Sequence, residues 1–303
     1  MDPALAALEL AIRSYAPSAP FPIQTVKSVP TIYFLAHTGN VSLFTLLQSH
    51  DYCGMDPHEL NAADHKLPGT TPLWAALATN HLEIAKLILT FKVDANAAVT
   101  IPPLASIYDP ALAPSPLIIA SQNGHLATCE LILHHTISLP HFPGFLESTL
   151  PTKDKPTALF KAAQNNRPSI VSLLVRAGAN VNSATADDHA TPLSIAAYHG
   201  HVEVVELLCG AAGIDVDGHK RAMMNPICAA VKGGHGGVVE VLVKSGAATN
   251  VVCQGMKLMQ FLGLCRRTDE VVAGVCRQIV GYASRCEDTS ERNKQRHAAN
   301  RRR

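Results

Sequence analysis

Residues 190–208 read ATPLSIAAYHGHVEVVELL, and this stretch predicts two short helices joined by a tight turn. Thr191 can cap the first helix with its hydroxyl, and Pro192 stands at the first helical position, where no backbone donor is needed. The pair Ala196-Ala197 lets a neighbouring helix approach closely. Gly200 can end the helix in the left-handed conformation. Apolar residues at positions i, i+3 and i+4 then mark one face of a second helix.

The same pattern recurs along the chain, so the quoted stretch is one unit of an internal repeat. A further copy begins at Asn225-Pro226, which lies 34 residues after Thr191-Pro192. Earlier and weaker copies contain Ile32, Thr71, Ser115 and Thr157 at or near their starts. A single unit of this kind cannot bury its own apolar face, and stacking neighbouring units provides the core. The sequence therefore predicts about six stacked helical hairpins.

The spacing between copies is uneven. The residue that ends each first helix serves as a marker, and successive markers are 41, 44, 42, 34 and 34 residues apart: Gly39, Asn80, Gly124, Asn166, Gly200 and Gly234. Asn stands for Gly twice because it tolerates the left-handed conformation best among the other residues. The first three copies therefore carry inserted loops, notably 97–114 and 136–155. Such insertions often lie on the binding face; drifted surface loops are the alternative.

These features together resemble the ankyrin repeat, in which Thr-Pro-Leu, Ala-Ala, Gly-His and Leu-Leu recur about every 33 residues. The resemblance covers the chain from about residue 30 to residue 250. It implies an all-α fold, an ankyrin-repeat solenoid of stacked helix-turn-helix units with short hairpin turns. We accordingly assign residues 28–250 to about six ankyrin repeats.

The two ends of such a stack need caps, because each exposes an apolar face. Residues 1–27 are predicted to form an N-terminal capping helix and a linker, since Asp2-Pro3 precedes an Ala/Leu run that prolines end. Residues 251–285 carry a degenerate apolar stripe and are predicted to form a C-terminal capping repeat. Residues 286–303 are predicted to be a basic, disordered tail; its part 292–303 holds six Lys or Arg and no acidic residue.

Composition indicates the cellular setting. The eight cysteines form no CxxC pair, and most are interpreted as small buried hydrophobes in a reducing compartment. The first residues do not resemble a secretory signal, and no apolar stretch is long enough to span a membrane. We expect a cytoplasmic location, with the nucleus as the alternative if the basic run is an import signal. Outside that run, 24 acidic residues exceed 19 basic ones, which argues against nucleic-acid binding.

No set of residues predicts catalysis, a metal site or a cofactor. The chain has no Gly-x-Ser-x-Gly motif, and the glycines of residues 233–237 lack the Lys-Ser/Thr that completes a phosphate loop. His81, His125, His201 and His235 occur once per repeat, which indicates hydrogen bonding between neighbouring turns rather than converging metal ligands. We expect no enzyme activity, no small-molecule substrate and no bound metal.

The family resemblance places partner binding on the turn tips and on the exposed side of the first helices. Carried over position by position, the first-helix candidates are Tyr33, Trp74, Thr79, Gln164, Asn165, Ser194, Tyr198, His199 and Lys232. The turn-tip candidates are Asp187, Asp188, His189, Lys220 and Arg221. Exposed aromatic residues would anchor a partner, because Trp and Tyr dominate interface energetics. For Trp74, packing in the core between repeats is the competing interpretation.

Two functions fit these observations. The first is a protein–protein interaction scaffold or adaptor that binds another protein through the concave face of the array. The second is a regulatory or targeting subunit of an enzyme complex, with the basic run setting its location. A catalytic activity in the inserted loops is disfavoured, because those loops hold no paired acid and base residues.

Overall fold

The computed structural model describes residues 25–26, 29–49, 72–90, 115–137, 142–150, 152–218, 225–248, 252–253 and 256–257, with Ala7, Leu10 and Ala11. Its elements in chain order are β1 (Thr25–Val26), β2 (Val29–Pro30), α1 (Thr31–Thr38), α2 (Val41–Ser49), α3 (Pro72–Ala78), α4 (Leu82–Thr90), α5 (Pro116–Asn123), α6 (Leu126–Thr136), α7 (Phe142–Leu146), α8 (Ala158–Gln164), α9 (Pro168–Arg176), α10 (Pro192–His199), α11 (Val202–Cys209), α12 (Pro226–Gly233), α13 (Gly236–Lys244), β3 (Val252–Cys253) and β4 (Met256–Lys257). The chain divides into two compact units, Met1–Ala158 and Leu159–Arg303.

The helices begin where the repeat pattern predicts. At the start of α10, the Thr191 hydroxyl accepts a hydrogen bond from the Ser194 backbone N–H at 3.2 Å, and the Ser194 hydroxyl accepts one from the Thr191 N–H at 2.8 Å. This reciprocal pair is a capping box, and it satisfies two donors that a helix start would otherwise leave unpaired. Asn225 caps α12 in the same way, accepting from the Cys228 N–H at 2.9 Å.

The first helices end in the left-handed conformation, as predicted. Their terminal residues have φ values between 54° and 88°: Gly39, Asn80, Gly124, Asn166, Gly200 and Gly234. At Gly200 and Gly234 the backbone N–H also bonds back to the last turn of the helix. Because glycine adopts positive φ at no steric cost, and asparagine at a small one, each first helix stops at this point and the next helix can fold back.

In the second unit, α10 packs against α12 and α11 packs against α13. The facing residues Ala196, Ala197 and Ala230 are fully buried, as is Leu193. Small side chains allow the two inner helices to approach so closely that a side chain at Gly233 would collide with the Tyr198 carbonyl oxygen. Each fully buried leucine of such a core stabilises the fold by about 1.5–3 kcal/mol.

In the first unit, α3 lies between α1 and α5 and packs against both. Ala36, Ala75, Ala76 and Ala120 are fully buried there, which repeats the small-residue interface of the second unit. A side-chain hydrogen bond adds to the packing between repeats. The Thr128 hydroxyl of α6 donates to the Asn80 side-chain oxygen at 2.6 Å.

Two of the four repeated histidines, His81 and His201, link neighbouring repeats, as predicted. His81 Nε2 donates to the His37 carbonyl oxygen at 3.2 Å, and His201 Nε2 donates to the Gln164 carbonyl oxygen at 3.1 Å. Each acceptor belongs to the repeat before the donor. Each of these hydrogen bonds joins the turn of one repeat to the end of the first helix in the repeat before it. A histidine at this position therefore has a structural role.

Side chains at the ends of two repeats tie the turns of the second unit together. Asn182 donates to the Gly213 carbonyl oxygen at 2.8 Å and accepts from the Asp215 N–H at 2.9 Å. In the following repeat, Asp217 accepts from the Ala248 N–H at 2.7 Å. These bonds satisfy backbone groups of the next turn and so hold successive turns in register.

The structure differs from the sequence-based expectation in three details. Two short antiparallel ladders, β1–β2 and β3–β4, interrupt an otherwise helical backbone. Helix α7 lies in the segment 136–155 that was expected to be a loop, and Thr149 of that segment forms a β-bridge with Thr157, just after it. Cys228 is disulfide-bonded rather than reduced, whereas Cys129 and Cys209 are free thiols.

Several predicted features lie outside the described residues. They are the inserted loop 97–114, the helices of the C-terminal capping repeat, the basic run 292–303, and the turn-tip candidates Lys220 and Arg221. Of the predicted N-terminal capping helix, the structure describes Ala7, Leu10 and Ala11, and all three are helical. The predicted domain bounds stay predictions.

Candidate functional site

Three of the predicted binding residues are buried, which corrects the expectation that they are exposed. Tyr33 is 3% exposed, Trp74 9% and Ser194 4%. Tyr33 and Trp74 face the core of the first unit because an aromatic side chain at this helical position fills the space between inner helices. The Ser194 hydroxyl is used by the cap of α10. The interpretation of Trp74 as a core residue is therefore the right one.

Three further candidates make local hydrogen bonds, two of them to the backbone and one to a side chain. The Thr79 hydroxyl donates to the Ala75 carbonyl oxygen at 2.7 Å, and the Asn165 side-chain amide donates to the Lys161 carbonyl oxygen at 2.8 Å. Gln164 accepts a hydrogen bond from Lys161 Nζ at 2.9 Å. Asn165 is exposed, whereas Thr79 and Gln164 are partly buried. None of the three lines the groove described next.

Four of the predicted residues lie together in a groove of the second unit. The groove has a volume of about 250 Å³, and it is lined by Asp188, Ala190, Ser194, Ile195, Tyr198, Ala229 and Lys232. Its walls come from the turn 185–190 and from helices α10 and α12. The close packing of α10 on α12, which the small residues permit, is what brings Tyr198 and Lys232 side by side.

Tyr198 and Lys232 form the exposed side of this groove. The Tyr198 side chain is 38% exposed, an unusual value for a large aromatic residue. Lys232 Nζ lies 6.0 Å from the centre of the Tyr198 ring, at the outer limit of a cation–π contact. Within the described part of the chain, no carboxylate pairs with Lys232. The groove thus presents an aromatic face and a positive charge that no described carboxylate neutralises.

Asp188 also lines the groove, from the turn that precedes α10, and its own side chain stabilises that turn. Asp188 Oδ1 accepts hydrogen bonds from the Thr185 hydroxyl at 2.6 Å and from the Ala190 N–H at 3.2 Å. The Thr185 hydroxyl also accepts from the Ala190 N–H, at 2.9 Å. His189 completes the turn with a φ of 54°, a left-handed value that few residues adopt. Because these bonds fix the turn, the Asp188 carboxylate has a defined position.

His199 borders Tyr198 on α10. The two rings meet edge to face with their centres 5.3 Å apart, and His199 stacks on His201 at 5.7 Å. Burial, together with the nearby imidazoles of His201 and His235, lowers the pKa of His199 below its ordinary value of 6.5. The exposed side chain of His199 is therefore mainly neutral near pH 7 and extends the aromatic surface.

Residues that the sequence did not single out also contribute. Ile195, Ala190 and Ala229 line the groove, and Thr185 holds Asp188 in place. Thr185 and Asp188 stand three residues apart in a predicted turn, a spacing that hydrogen bonds between side chain and backbone often use. That spacing is a signal from which Thr185 could have been found.

The described residues hold no group of three or more His, Cys, Asp or Glu side chains placed to bind a metal ion. Within the same residues, no helix is both long enough and apolar enough to cross a membrane.

The repeats of this chain match a known protein family. A family model described as "Ankyrin repeats (3 copies)" matches residues 32–142, 117–220 and 159–253. The chain belongs to the ankyrin-repeat family. Members of this family are generally protein–protein interaction modules and typically non-enzymatic. The overlapping matches include every helix from α2 to α13, and with them the whole groove.

Three known proteins show how far the similarity extends. "Ankyrin repeat and KH domain-containing protein mask-1" of Caenorhabditis elegans is 30% identical over 161 residues, 46% of this chain and 6% of that protein. Alpha-latrotoxin-Lg1a of Latrodectus geometricus is 33% identical over 98 residues, 32% of this chain and 7% of the toxin. The human ASB11 ankyrin repeat domain has a TM-score of 0.58 at 17% identity, covering 82% of this chain and 97% of that domain.

The chain matches only 6% and 7% of the length of the two curated relatives, so the similarity concerns their ankyrin repeats alone. The likeness to the ASB11 domain supports the fold.

Proposed function

We propose that this protein is an interaction scaffold or adaptor that binds another protein through the groove between α10, α12 and the turn 185–190. The observation that carries the proposal is the pairing, in one concave and mostly apolar groove, of a solvent-exposed Tyr198 with Lys232, which forms no ion pair with a described residue. Aromatic residues of this kind are strong anchors at protein interfaces. The family's general role in protein–protein interaction supports the same conclusion.

The proposal includes no enzymatic role. The only hydroxyl that lines the groove beside the Tyr198 phenol is that of Ser194, and it both accepts from the Thr191 N–H and donates to the Thr191 carbonyl oxygen. A serine nucleophile needs a base within hydrogen-bond reach. Asp188 Oδ1 bonds the Thr185 hydroxyl and the Ala190 N–H rather than Ser194, and among the described residues no histidine lines the groove. Binding therefore suits these residues better than catalysis.

The test compares two residues of one repeat that are almost equally exposed. Tyr198 on α10 is 38% exposed and Leu207 on α11 is 36% exposed. A biotin ligase fused to the full chain would label its partners in cells. We expect Tyr198→Ala to lower partner labelling at least about tenfold, a loss typical of an anchor residue, while Leu207→Ala changes it little. If thermal melting shows that both chains are folded, equal partner labelling by the wild type and Tyr198→Ala would overturn the groove assignment.

The alternative, a regulatory or targeting subunit, is favoured by one feature, the six Lys or Arg of residues 292–303. We propose a cytoplasmic location for the protein, with nuclear import through this run as the second candidate. Replacement of all six residues by Gln, followed by imaging of the fluorescently tagged chain, tests it. A lower nuclear fraction supports import, and an unchanged distribution contradicts it.

A further inference from the structure

We infer that the groove takes an extended peptide segment of a partner protein, which places one Asp or Glu side chain against Lys232 and an apolar side chain beside Tyr198 and Ile195. This inference rests on the proposed function and adds the chemistry of the partner. Four features of the groove support this inference: its size, the Lys232 ammonium that pairs with no described carboxylate, the Asp188 carboxylate held by its turn, and the apolar lining residues.

The size of the groove favours side chains over a cofactor. Its volume is about 250 Å³, below the roughly 300–1,000 Å³ of typical small-molecule sites. The groove is open along the surface of α10 and α12 rather than enclosed. A peptide in extended conformation places alternate side chains on one face, so it can fill such a groove while its backbone remains outside.

Lys232 supplies the charge that selects the partner. Its side chain is exposed, its ammonium lies over the Tyr198 ring, and among the described residues no carboxylate is within ion-pair distance of it. By contrast, Lys244 of α13 pairs with Glu240 at 2.8 Å, and Lys86 of α4 pairs with Glu83 at 3.0 Å. Lys232 therefore differs from these two lysines, because its ammonium lies over an aromatic ring and pairs with no described carboxylate.

The acidic turn restricts the partner to a single carboxylate. Asp188 lines the groove and Asp187 is exposed beside it in the chain. A polyanion such as a nucleic acid needs several clustered cations, and these two carboxylates would repel it. A single acidic side chain can meet Lys232, which stands in the last turn of α12, whereas Asp188 stands in the turn before α10. The Asp188 oxygen Oδ2, which accepts no hydrogen bond from a described residue, is placed to accept one from a donor on the same peptide.

The apolar part of the groove provides the remaining contact. Ile195 and Tyr198 stand one helical turn apart on α10, so they share a face, and Ala190 and Ala229 leave space between them. An aliphatic side chain next to the acidic residue would cover this surface and exclude water from the Lys232–carboxylate pair. Exclusion of water strengthens that pair.

The experiment is a selection from a random-peptide phage library on the purified full chain. Peptides selected by the wild type are expected to share an Asp or Glu at one position with an aliphatic neighbour. Lys232→Glu should reverse the preference to Lys or Arg at that position. Lys244→Glu, which changes an equally exposed lysine away from the groove, should leave the selected motif as in the wild type.

Measured affinities then test the pair itself. For a selected peptide and its form with the acidic residue replaced by Gln, Lys232→Met should weaken binding of the acidic form about tenfold, as expected for a charge-assisted hydrogen bond. The Gln form should bind the wild type and Lys232→Met equally. Equal losses for both peptide forms would mean that Lys232 does not meet the carboxylate, and would overturn the inference.

The outcomes separate the two proposals. If Tyr198→Ala abolishes peptide selection but the wild-type peptides show no acidic preference, the groove binds a partner and the inference on its chemistry is wrong. If Tyr198→Ala selects the same peptides as the wild type, the groove is not the binding site and the proposed function is wrong. A wild-type chain that enriches no peptide contradicts the peptide class of ligand, while the proximity-labelling test of the groove remains independent of that result.

Discussion

At the scale of single residues, the glycines that end the first helices and the histidines of the following repeats depend on each other. Gly200 has a φ of 80°, and the space that its missing side chain leaves is occupied by the ring of His235. Gly39 and His81 show the same relation in the first unit. A glycine is thus needed twice at this position, once for its backbone conformation and once for the ring that packs over it.

This double requirement predicts different costs at two glycines of similar conformation. Gly246 has a φ of 92°, and a side chain added there would meet no atom within 4 Å. Gly246→Ala should lower the free energy of unfolding by about 1–2 kcal/mol, the cost of the left-handed conformation. Gly200→Ala should lower it by a further 1–3 kcal/mol or so because the methyl group displaces His235. If urea unfolding shows the same loss of unfolding free energy for Gly200→Ala and Gly246→Ala, the His235 ring moves aside at no cost.

A second prediction concerns thiol reactivity. Burial raises the pKa of Cys129 to about 12, and its Sγ lies 3.7 Å from the Ser121 hydroxyl. Since the thiolate is the reactive species, native Cys129 should resist iodoacetamide at about pH 8 and react in urea. Cys209, which is only partly buried and whose pKa burial also raises, provides the comparison.

We expect Cys209 to be labelled before Cys129 in the folded chain, with peptide mass spectrometry as the measurement. Labelling of the two thiols at the same rate in native protein would contradict the burial of Cys129.

At the scale of the element, each helical hairpin is defined by its ends more than by its middle. Helix α10 begins at a capping box and stops at a left-handed glycine. Between them, Ala196 and Ala197 carry the close contact with α12. Because the helices are only 7 to 11 residues long in these pairs, isolated helices of this length would be marginal in water, and caps together with packing hold them.

Two cap positions of the same repeat register should therefore respond differently to alanine. The Thr191 hydroxyl accepts from the Ser194 N–H, so Thr191→Ala should cost about 1–2 kcal/mol of stability. The Ser115 hydroxyl, at the start of α5, is buried and makes no hydrogen bond with a described residue. Ser115→Ala removes a buried polar group that has no partner there, so it should be neutral or slightly stabilising.

Urea unfolding of the two variants against the wild type measures both effects. If Ser115→Ala lowers the free energy of unfolding as much as Thr191→Ala does, Ser115 caps its helix in solution.

At the scale of the whole molecule, histidines connect stability to pH. Burial and a neighbouring imidazole lower the pKa of His135 on α6, and the same causes lower the pKa of His199 on α10. Each lowered pKa means that the unfolded chain binds protons more readily than the folded one. The contribution to stability is therefore present above the ordinary value of 6.5 and is lost as the pH falls through the folded pKa.

The prediction is a lower melting temperature at about pH 5.5 than at about pH 7.5, with a smaller difference in the double variant His135→Asn, His199→Asn. Carboxylates that titrate over the same range affect both proteins equally, so the difference between the two profiles isolates the histidines. His37→Asn, which changes an exposed histidine of α1 that contributes to neither shift, serves as the control. Parallel profiles for the wild type and the double variant would contradict the assignment.

The sequence alone determined the ankyrin fold, the helix pairs and their end points, because these depend on local chemistry: Thr-Pro starts, Gly or Asn ends and apolar spacing. It also predicted the structural role of His81 and His201. The candidate list placed both Tyr198, which is exposed, and Tyr33, which is buried, on the binding side of first helices. The helix register distinguishes them, because Tyr33 stands six residues before its terminal glycine and Tyr198 only two.

Only tertiary packing decided the make-up of the groove. The packing of α10 on α12 brings Tyr198, Lys232 and Asp188 together across more than 40 residues of chain. The repeat period places equivalent residues on equivalent surfaces, but which of them stays exposed depends on the side chains of the neighbouring repeat, and that is a property of three-dimensional contact.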